Sequence, residues 1–196
     1  MLFGASGTGK STLLSVISGT LLPDQVSVEI AKTEITNLSA SARDRFRAEQ
    51  LWVIFQQFNL LPFGSVADNI LLPLRFAPIR RNRVKDAKSE VARLCAALGL
   101  PVDIGREKAS SLSVGQQQRV AVARDLIGNP HLIIADEQTS ALDINSKDAF
   151  LDLLFTQAHT QGTSVVLVSH DERLGPRFDR ILHMDCLLYT SPSPRD

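Results

Sequence analysis

Apolar and polar positions follow two rhythms along this chain. Short continuous apolar runs occur at residues 51–55 (LWVIF), 132–135 (LIIA) and 164–169 (SVVLVS). Runs of that length read as strands buried on both faces of a sheet. Between them the spacing becomes helical. Residues 10–18 read as a helix ended by Gly19, and residues 40–48 as a charged helix. Val84, Ala87, Val91, Leu94, Cys95 and Leu98 make one helical face, closed by Gly99 and Pro101. Residues 26–30 alternate as a strand, and residues 180–184 fit a final one. Asn145 or Ser146 is placed to cap a helix that ends near Gly162. Strands alternating with helices predict an α/β fold with a mostly parallel sheet. The largely helical stretch from residue 66 to residue 126 reads as an insertion between early and late strands.

Chemistry enters at Gly4-Ala5-Ser6-Gly7-Thr8-Gly9-Lys10-Ser11, a full match to the phosphate-loop pattern GxxxxGK[ST]. Its glycines let successive backbone N–H groups turn toward one anion, and the following helix adds its positive end. Lys10 reaches toward β- and γ-phosphates, and the Ser11 hydroxyl suits Mg²⁺. The bland alternative is a Gly/Ser-rich turn before a lysine-bearing helix. Such loops normally follow a strand, yet only three residues precede Gly4. The expectation is therefore an incomplete start: an unfilled place in the sheet beside the loop, weak nucleotide affinity and poor stability.

A second motif, HLIIADE at residues 131–137, reads as a buried strand delivering Asp136 and Glu137 to the carboxyl end of a parallel sheet. Ligands bind at that end of open α/β sheets. Asp136 would hold Mg²⁺ and Glu137 would polarise a water; an ordinary acidic turn is the alternative. A third, LSVGQQQR from Leu112, opens a helix with Ser113 as N-cap. Taken alone it is a capped surface helix with amides that suit an anion.

The LSVGQ string shortly before the strand ending in Asp-Glu resembles the signature of ATP-binding cassette ATPases, the motors of ABC transporters. The order of phosphate loop, Gln56, signature, Asp136-Glu137, SALD at residues 140–143 and His170 agrees over residues 4–185. The string QQFNLLPFGSVADNI resembles cassettes of the lipoprotein-release and macrolide-export type. This resemblance implies a P-loop NTPase with a RecA-like core at residues 1–56 and 127–185. It implies a helical subdomain at residues 57–126 within a single domain, 1–185. It implies Glu137, His170 and Gln56 as catalytic residues. ATP would contact residues 4–11, Thr12, Ser113, Gly115, Gln116 and Asp143, and Mg²⁺ would contact Ser11, Gln56 and Asp136. The implied partners are a membrane permease subunit and a second cassette, as a homodimer, on the cytoplasmic face of the cell membrane. The rival expectations are a soluble, non-transport ABC ATPase and a truncated nucleotide-binding fragment with little turnover. Three positions depart from the family pattern: Val114 for Gly, Gln138 for Pro, and Asp125 for Ala. A carboxylate at position 125 is costly on an apolar helix face unless it is solvated.

Composition changes the picture in few places. Lys+Arg and Asp+Glu both count 21 among 196 residues, so the net charge is zero. That balance argues against a general grip on nucleic acid, and none is expected as a partner. No apolar run approaches a bilayer span, and no signal peptide is expected. Cys95 reads as a small core residue, and with Cys186 it shows no metal-ligand spacing. Arg75, Arg80, Arg81, Arg83 and Lys85 read as a solvated helical surface. Phe55, Phe58 and Phe63 line either a partner groove or the core. The last eleven residues, CLLYTSPSPRD, change composition abruptly and match, residue for residue, the translation of a transposon-end sequencing adapter. Residues 186–196 are therefore read as a non-native tail, against the alternative of a natural disordered one.

Overall fold

In the computed structural model, residues 1–5, 7–54, 58–136 and 144–184 are described. The framework is a five-stranded sheet, all of whose pairings are parallel. It contains β1 (Leu2–Phe3), β4 (Leu51–Ile54), β5 (Leu132–Asp136), β6 (Ser164–Ser169) and β7 (Leu182–His183) in the order β4-β5-β6-β1-β7. A small hairpin, β2 (Glu29–Ile30) and β3 (Thr33–Glu34), stands apart from it. It replaces the longer strand expected at residues 26–30, and Val26 is exposed.

Side chains of β5 show why the runs are continuous rather than alternating. Leu132 and Ile134 pack on one face with Leu14, Phe46 and Ile17, while Ile133 and Ala135 join the larger core on the other. Both faces are thus apolar, as a sheet covered on both sides requires. The first face is covered by α1 (Lys10–Ile17) and α2 (Ala40–Gln50). The second carries α6 (Val114–Leu126) and α7 (Ile144–Gln161). The chain between β4 and β5 also supplies α3 (Val66–Leu71), α4 (Pro78–Arg83) and α5 (Ala87–Ala97), and α3 packs on both α5 and α6. Val66, Leu94 and Val120 from these helices share one core cluster with Ile133 and Leu167 of the sheet.

Several expectations need correction. The place beside the phosphate loop is filled: Leu2 and Phe3 pair with Val168 and Ser169 on one side and with Leu182 and His183 on the other. Two residues suffice because both neighbours hydrogen-bond them. The Met1 carbonyl also accepts from the Leu182 N–H at 2.8 Å, and Met1 and Leu2 are buried. Helix α7 begins at Ile144, so Asn145 and Ser146 lie inside its first turn rather than capping it. Val84 is not part of the helix that follows; it closes α4 in an extended conformation and still packs against the core.

The basic cluster is not all solvated. Arg80 is 0% exposed. Its Nε donates to the Ile127 carbonyl at 3.1 Å, and its backbone N–H donates to Glu49 Oε2 at 3.1 Å. The turn after α6 comes so close that a Cβ on Gly128 would lie 2.8 Å from both Cβ and O of Arg80. Asp125 is likewise buried rather than solvated, at 0% exposed. The guanidinium groups of Arg124 and Arg80 offset what burial costs it.

Candidate active site

Because the strands run parallel, their carboxyl ends share one edge. The register fixes how they line up. Asp136, Val168 and Leu2 form one row across β5, β6 and β1, with Ser169 and Phe3 in the next. Beyond that row the chain continues as His170 from β6 and as Gly4 from β1. Strands lie about 4.8 Å apart, so the end of β5 stands about 10 Å from the phosphate loop. That spacing leaves room for a phosphate and a cation between them.

The loop itself is shaped by its glycines. Gly7 and Gly9 have φ of 86° and 83°, the left-handed region that side chains disfavour. Gly4 is needed for a different reason: a Cβ there would meet Thr8 Oγ1 at 2.9 Å and Met184 Cβ at 3.1 Å. Thr8 Oγ1 donates to the Ala5 carbonyl at 2.9 Å, and Lys10 Nζ donates to the Gly4 carbonyl at 2.7 Å and to that of Ala5. Helix α1 starts at Lys10, and Gly9 gives it no side-chain cap. The first helical hydrogen bond is Leu13 N–H to Gly9 O, at 2.9 Å. Among the described residues the amides of Lys10, Ser11 and Thr12 have no helical acceptor and, with the Lys10 ammonium, make a cradle for anionic oxygens. The side chains of Ser11 and Thr12 are exposed at its mouth.

Helix α6 begins as its sequence predicts. Ser113 Oγ accepts from Gln116 N–H at 3.3 Å, and Gln116 Oε1 accepts from Ser113 N–H at 2.9 Å, a reciprocal capping box. This helix packs on the sheet face opposite α1, since Val120 and Val122 belong to one core cluster and Leu14 to the other. The structure therefore does not unite Ser113, Gly115 and Gln116 with the phosphate loop of the same chain; Ser113, Val114 and Gly115 form a second, exposed surface, with Gln116 half-buried beside them.

His170 is exposed beyond β6. Beside it Asp171 accepts from Arg173 N–H at 3.1 Å and opens a 3-10 turn, Glu172–Arg177. Asp136 ends β5. Ser6, Gln56, Glu137 and Asp143 lie outside the described residues, as do Phe55, Gln138 and the segment 186–196. Of the remaining aromatic pair, Phe63 is 77% exposed and Phe58 is half-buried.

The oxygen donors Ser11, Asp136 and Gln56 suit a hard cation such as Mg²⁺. Among the described residues there is no cluster of three or more His, Cys, Asp or Glu that could hold a metal ion.

Sequence reasoning missed the charged cluster behind this edge. Arg124 Nε lies 3.2 Å from Asp125 Oδ1, and Arg124 Nη1 donates to the Asn59 carbonyl at 3.0 Å. Arg80 and Arg124 both lie over the Trp52 ring, 5.5 and 5.4 Å from its centroid. Burial pushes the Asp125 carboxyl up to about 6, against the lowering pull of Arg124 and Arg80. Burial likewise lowers Arg80 to about 10, against Asp125 and Glu49. A carboxylate on an otherwise apolar helix face was the one available signal.

The chain matches the ABC transporter family over residues 1–140. It is 38% identical over 181 residues to the lipoprotein-releasing system ATP-binding protein LolD of Syntrophotalea carbinolica, covering 92% of this chain and 78% of that one. To the LolD protein of Porphyromonas gingivalis it is 37% identical over 188 residues, with 95% and 84% covered. Among solved structures, the ATP-binding cassette MJ0796 in a dimeric post-hydrolysis state with ADP and Pi superposes with a TM-score of 0.72 at 31% identity. That superposition covers 93% of this chain and 78% of the cassette. No described helix is long and apolar enough to cross a membrane. A sheet edge that gathers a phosphate loop and an acidic strand end thus agrees with sequence kinship over most of the chain: it belongs to the ABC transporter family, as an ATP-hydrolysing ATP-binding subunit.

Proposed function

We propose that this cassette energises a separate membrane permease of the lipoprotein-release or export type, at the inner face of the cell membrane, and works as a head-to-tail pair with a second copy. ATP lies on the loop at residues 4–11, with Lys10 and the amides through Thr12 holding its β- and γ-phosphates. Ser11, Asp136 and Gln56 hold Mg²⁺, which supplies charge neutralisation on the phosphate oxygens. Glu137 accepts a proton from the attacking water, and His170 donates to the γ-phosphate. Asp143 crosses toward the second cassette. Ser113, Gly115 and Gln116 meet the nucleotide on the second copy, since they lie across the sheet from their own loop. Closing the pair brings the two surfaces together, and hydrolysis separates them.

The observation that carries this reading is the shared row: β1, β5 and β6 end together, at the phosphate loop, at Asp136 and just before His170. The relatives support the permease partner, and the dimeric cassettes support the pairing. Glu137→Gln tests it directly. The variant should bind ATP, lose steady-state hydrolysis and run as a dimer by size-exclusion chromatography with ATP. Hydrolysis at the unsubstituted rate would remove Glu137 from the reaction.

A further inference from the structure

Helix α4 stands out from the fold as a ridge. Of its six residues only Arg80 is buried. That side chain is tied inward to the Ile127 carbonyl, and the buried Glu49 of α2 accepts the Ile79 and Arg80 N–H groups at 3.0 and 3.1 Å. Ala77 offers α4 no capping side chain, so Glu49 serves as its cap from another helix. The ridge is thus mounted from beneath, with its backbone already ordered for a partner. Its outer side chains are of two kinds. Phe76 and Ile79, three residues apart, are 68% and 48% exposed. Around them Arg75, Arg81, Arg83 and Lys85 are exposed as well. From Asn69 to Lys85 the chain carries no Asp or Glu. Arg83 is held at the edge, donating to the Asn129 carbonyl and lying 3.3 Å from His131 Nε2. The charged ends of Arg75, Arg81 and Lys85 make no hydrogen bond or ion pair among the described residues. Carboxylates around the ridge are already engaged. Asp68, whose field reaches Arg75, accepts from the Ser65 N–H and hydroxyl at 3.1 and 2.7 Å. Asp86 accepts from the Lys88 N–H and the Ser89 hydroxyl at 3.0 and 2.6 Å, and Asp44 of α2 pairs with Arg47 at 2.6 Å. A chain of zero net charge thus keeps a local excess of positive charge beside exposed apolar area.

We propose that this ridge, residues 75–85, binds the surface of an anionic bilayer, with Phe76 and Ile79 entering the headgroup boundary and Arg75, Arg81 and Lys85 meeting lipid phosphates. Shape and charge together select that partner. The ridge is convex, because α4 is exposed on every side but that of Arg80. A helix or strand from a protein partner is instead received in a groove or along a sheet edge. A bilayer is a soft plane that takes in isolated apolar side chains and offers negative charge across its whole surface. Guanidinium forks match phosphate oxygens. Long basic side chains keep their charged ends at the headgroups while apolar neighbours go deeper. Two apolar side chains are a small area, so charge supplies most of the attraction and salt weakens it. This contact goes beyond the permease reading, since the chain itself meets lipid, and its failure leaves that reading standing.

The test mixes the full chain with vesicles and measures the bound fraction by sedimentation. One set of vesicles is phosphatidylcholine alone, and the other holds phosphatidylglycerol and phosphatidylcholine in equal parts. Binding is expected to the anionic set only, and it should be lost at about 1 M salt, where charges are screened beyond about 3 Å. Replacing Arg75, Arg81 and Lys85 together by Gln should weaken binding on the order of 100-fold, about fivefold for each charge. Phe76→Ser should weaken it about three- to tenfold and leave the salt dependence unchanged. A control variant with Gln at Lys32, Lys108 and Arg180, all exposed and away from α4, removes the same net charge. It should lose less than about twofold, because distant charges are screened. Circular dichroism would confirm that each variant is folded. Should the α4 triple variant not fold, Arg81→Glu decides alone, with an expected loss of about tenfold or more. Failure of the folded chain to bind anionic vesicles overturns the proposal. An equal loss in the control variant does so too, since it would mean a general charge effect. Binding of a polyglutamate peptide without binding of vesicles would also overturn it and assign the ridge to an acidic protein segment.

Discussion

Helices α1 and α6 both begin where a motif assigns contact with nucleotide, and their first turns are built in opposite ways. Gly9, in the left-handed region, precedes α1 and offers no side-chain cap. Among the described residues the first-turn amides of α1 have no acceptor and are left for an incoming anion. In α6 the amides of Ser113 and Gln116 are already satisfied by the reciprocal pair of side chains. Helix geometry leaves those of Val114 and Gly115 without helical acceptors. The first helix is thus a complete anion cradle within one chain. The second is a self-sufficient element that offers only two amides, and it looks away from the first. Such a division of labour fits a nucleotide held tightly by one surface and only covered by the other.

Substitutions can separate the two helices. The largest effect is expected from Lys10→Ala. A charge-assisted contact is worth about 1.5–3 kcal/mol, so ATP affinity should fall by roughly 10- to 100-fold. A titration with a fluorescent ATP analogue would measure it. An affinity within twofold of the original would break the comparison, since α1 would then not be the tight partner. Ser113→Ala comes next. Loss of the cap should cost about 1 kcal/mol of stability in urea melts, with no change in the affinity of a single cassette for ATP. A drop in that affinity would mean that α6 contributes within its own chain. Gly115→Ala should have the smallest effect on the isolated fold. No atom lies within 4 Å of the added Cβ, and alanine favours a helix over glycine by up to about 1 kcal/mol. Stability should hold or rise slightly, while ATP-driven dimerisation, read by light scattering, weakens because the methyl narrows the approach to that amide.

The difference between the helices was largely legible beforehand, and the reason is locality. Gly7, Gly9 and Lys10 act within one turn of chain, as do Ser113 and Gln116, so spacing alone exposes their purpose. The parallel strands were legible for a related cause, since a run such as LIIA must be covered on both faces. The short β1 was misjudged because a strand's length says nothing of its neighbours: Leu2 and Phe3 are held by two ladders that only the assembled sheet reveals. Arg80 and Asp125 were misjudged for the opposite reason. Arg80 finds its acceptor far along the chain, Ile127 being 47 residues away, and Asp125 depends on that distant arginine as well as on its neighbour Arg124, whereas polarity alone argued for solvent. Pairing over such distances follows no period in the sequence.

Trp52 is the chain's only tryptophan, and it lies beneath the guanidinium groups of Arg80 and Arg124. Indole emission depends strongly on charges near the ring, so a movement of either arginine would alter its wavelength and yield. The protein therefore carries an optical probe on the strand that leads to Gln56, with no competing tryptophan signal. A stopped-flow trace of that emission after mixing with ATP would time any rearrangement there against phosphate release, with no label attached.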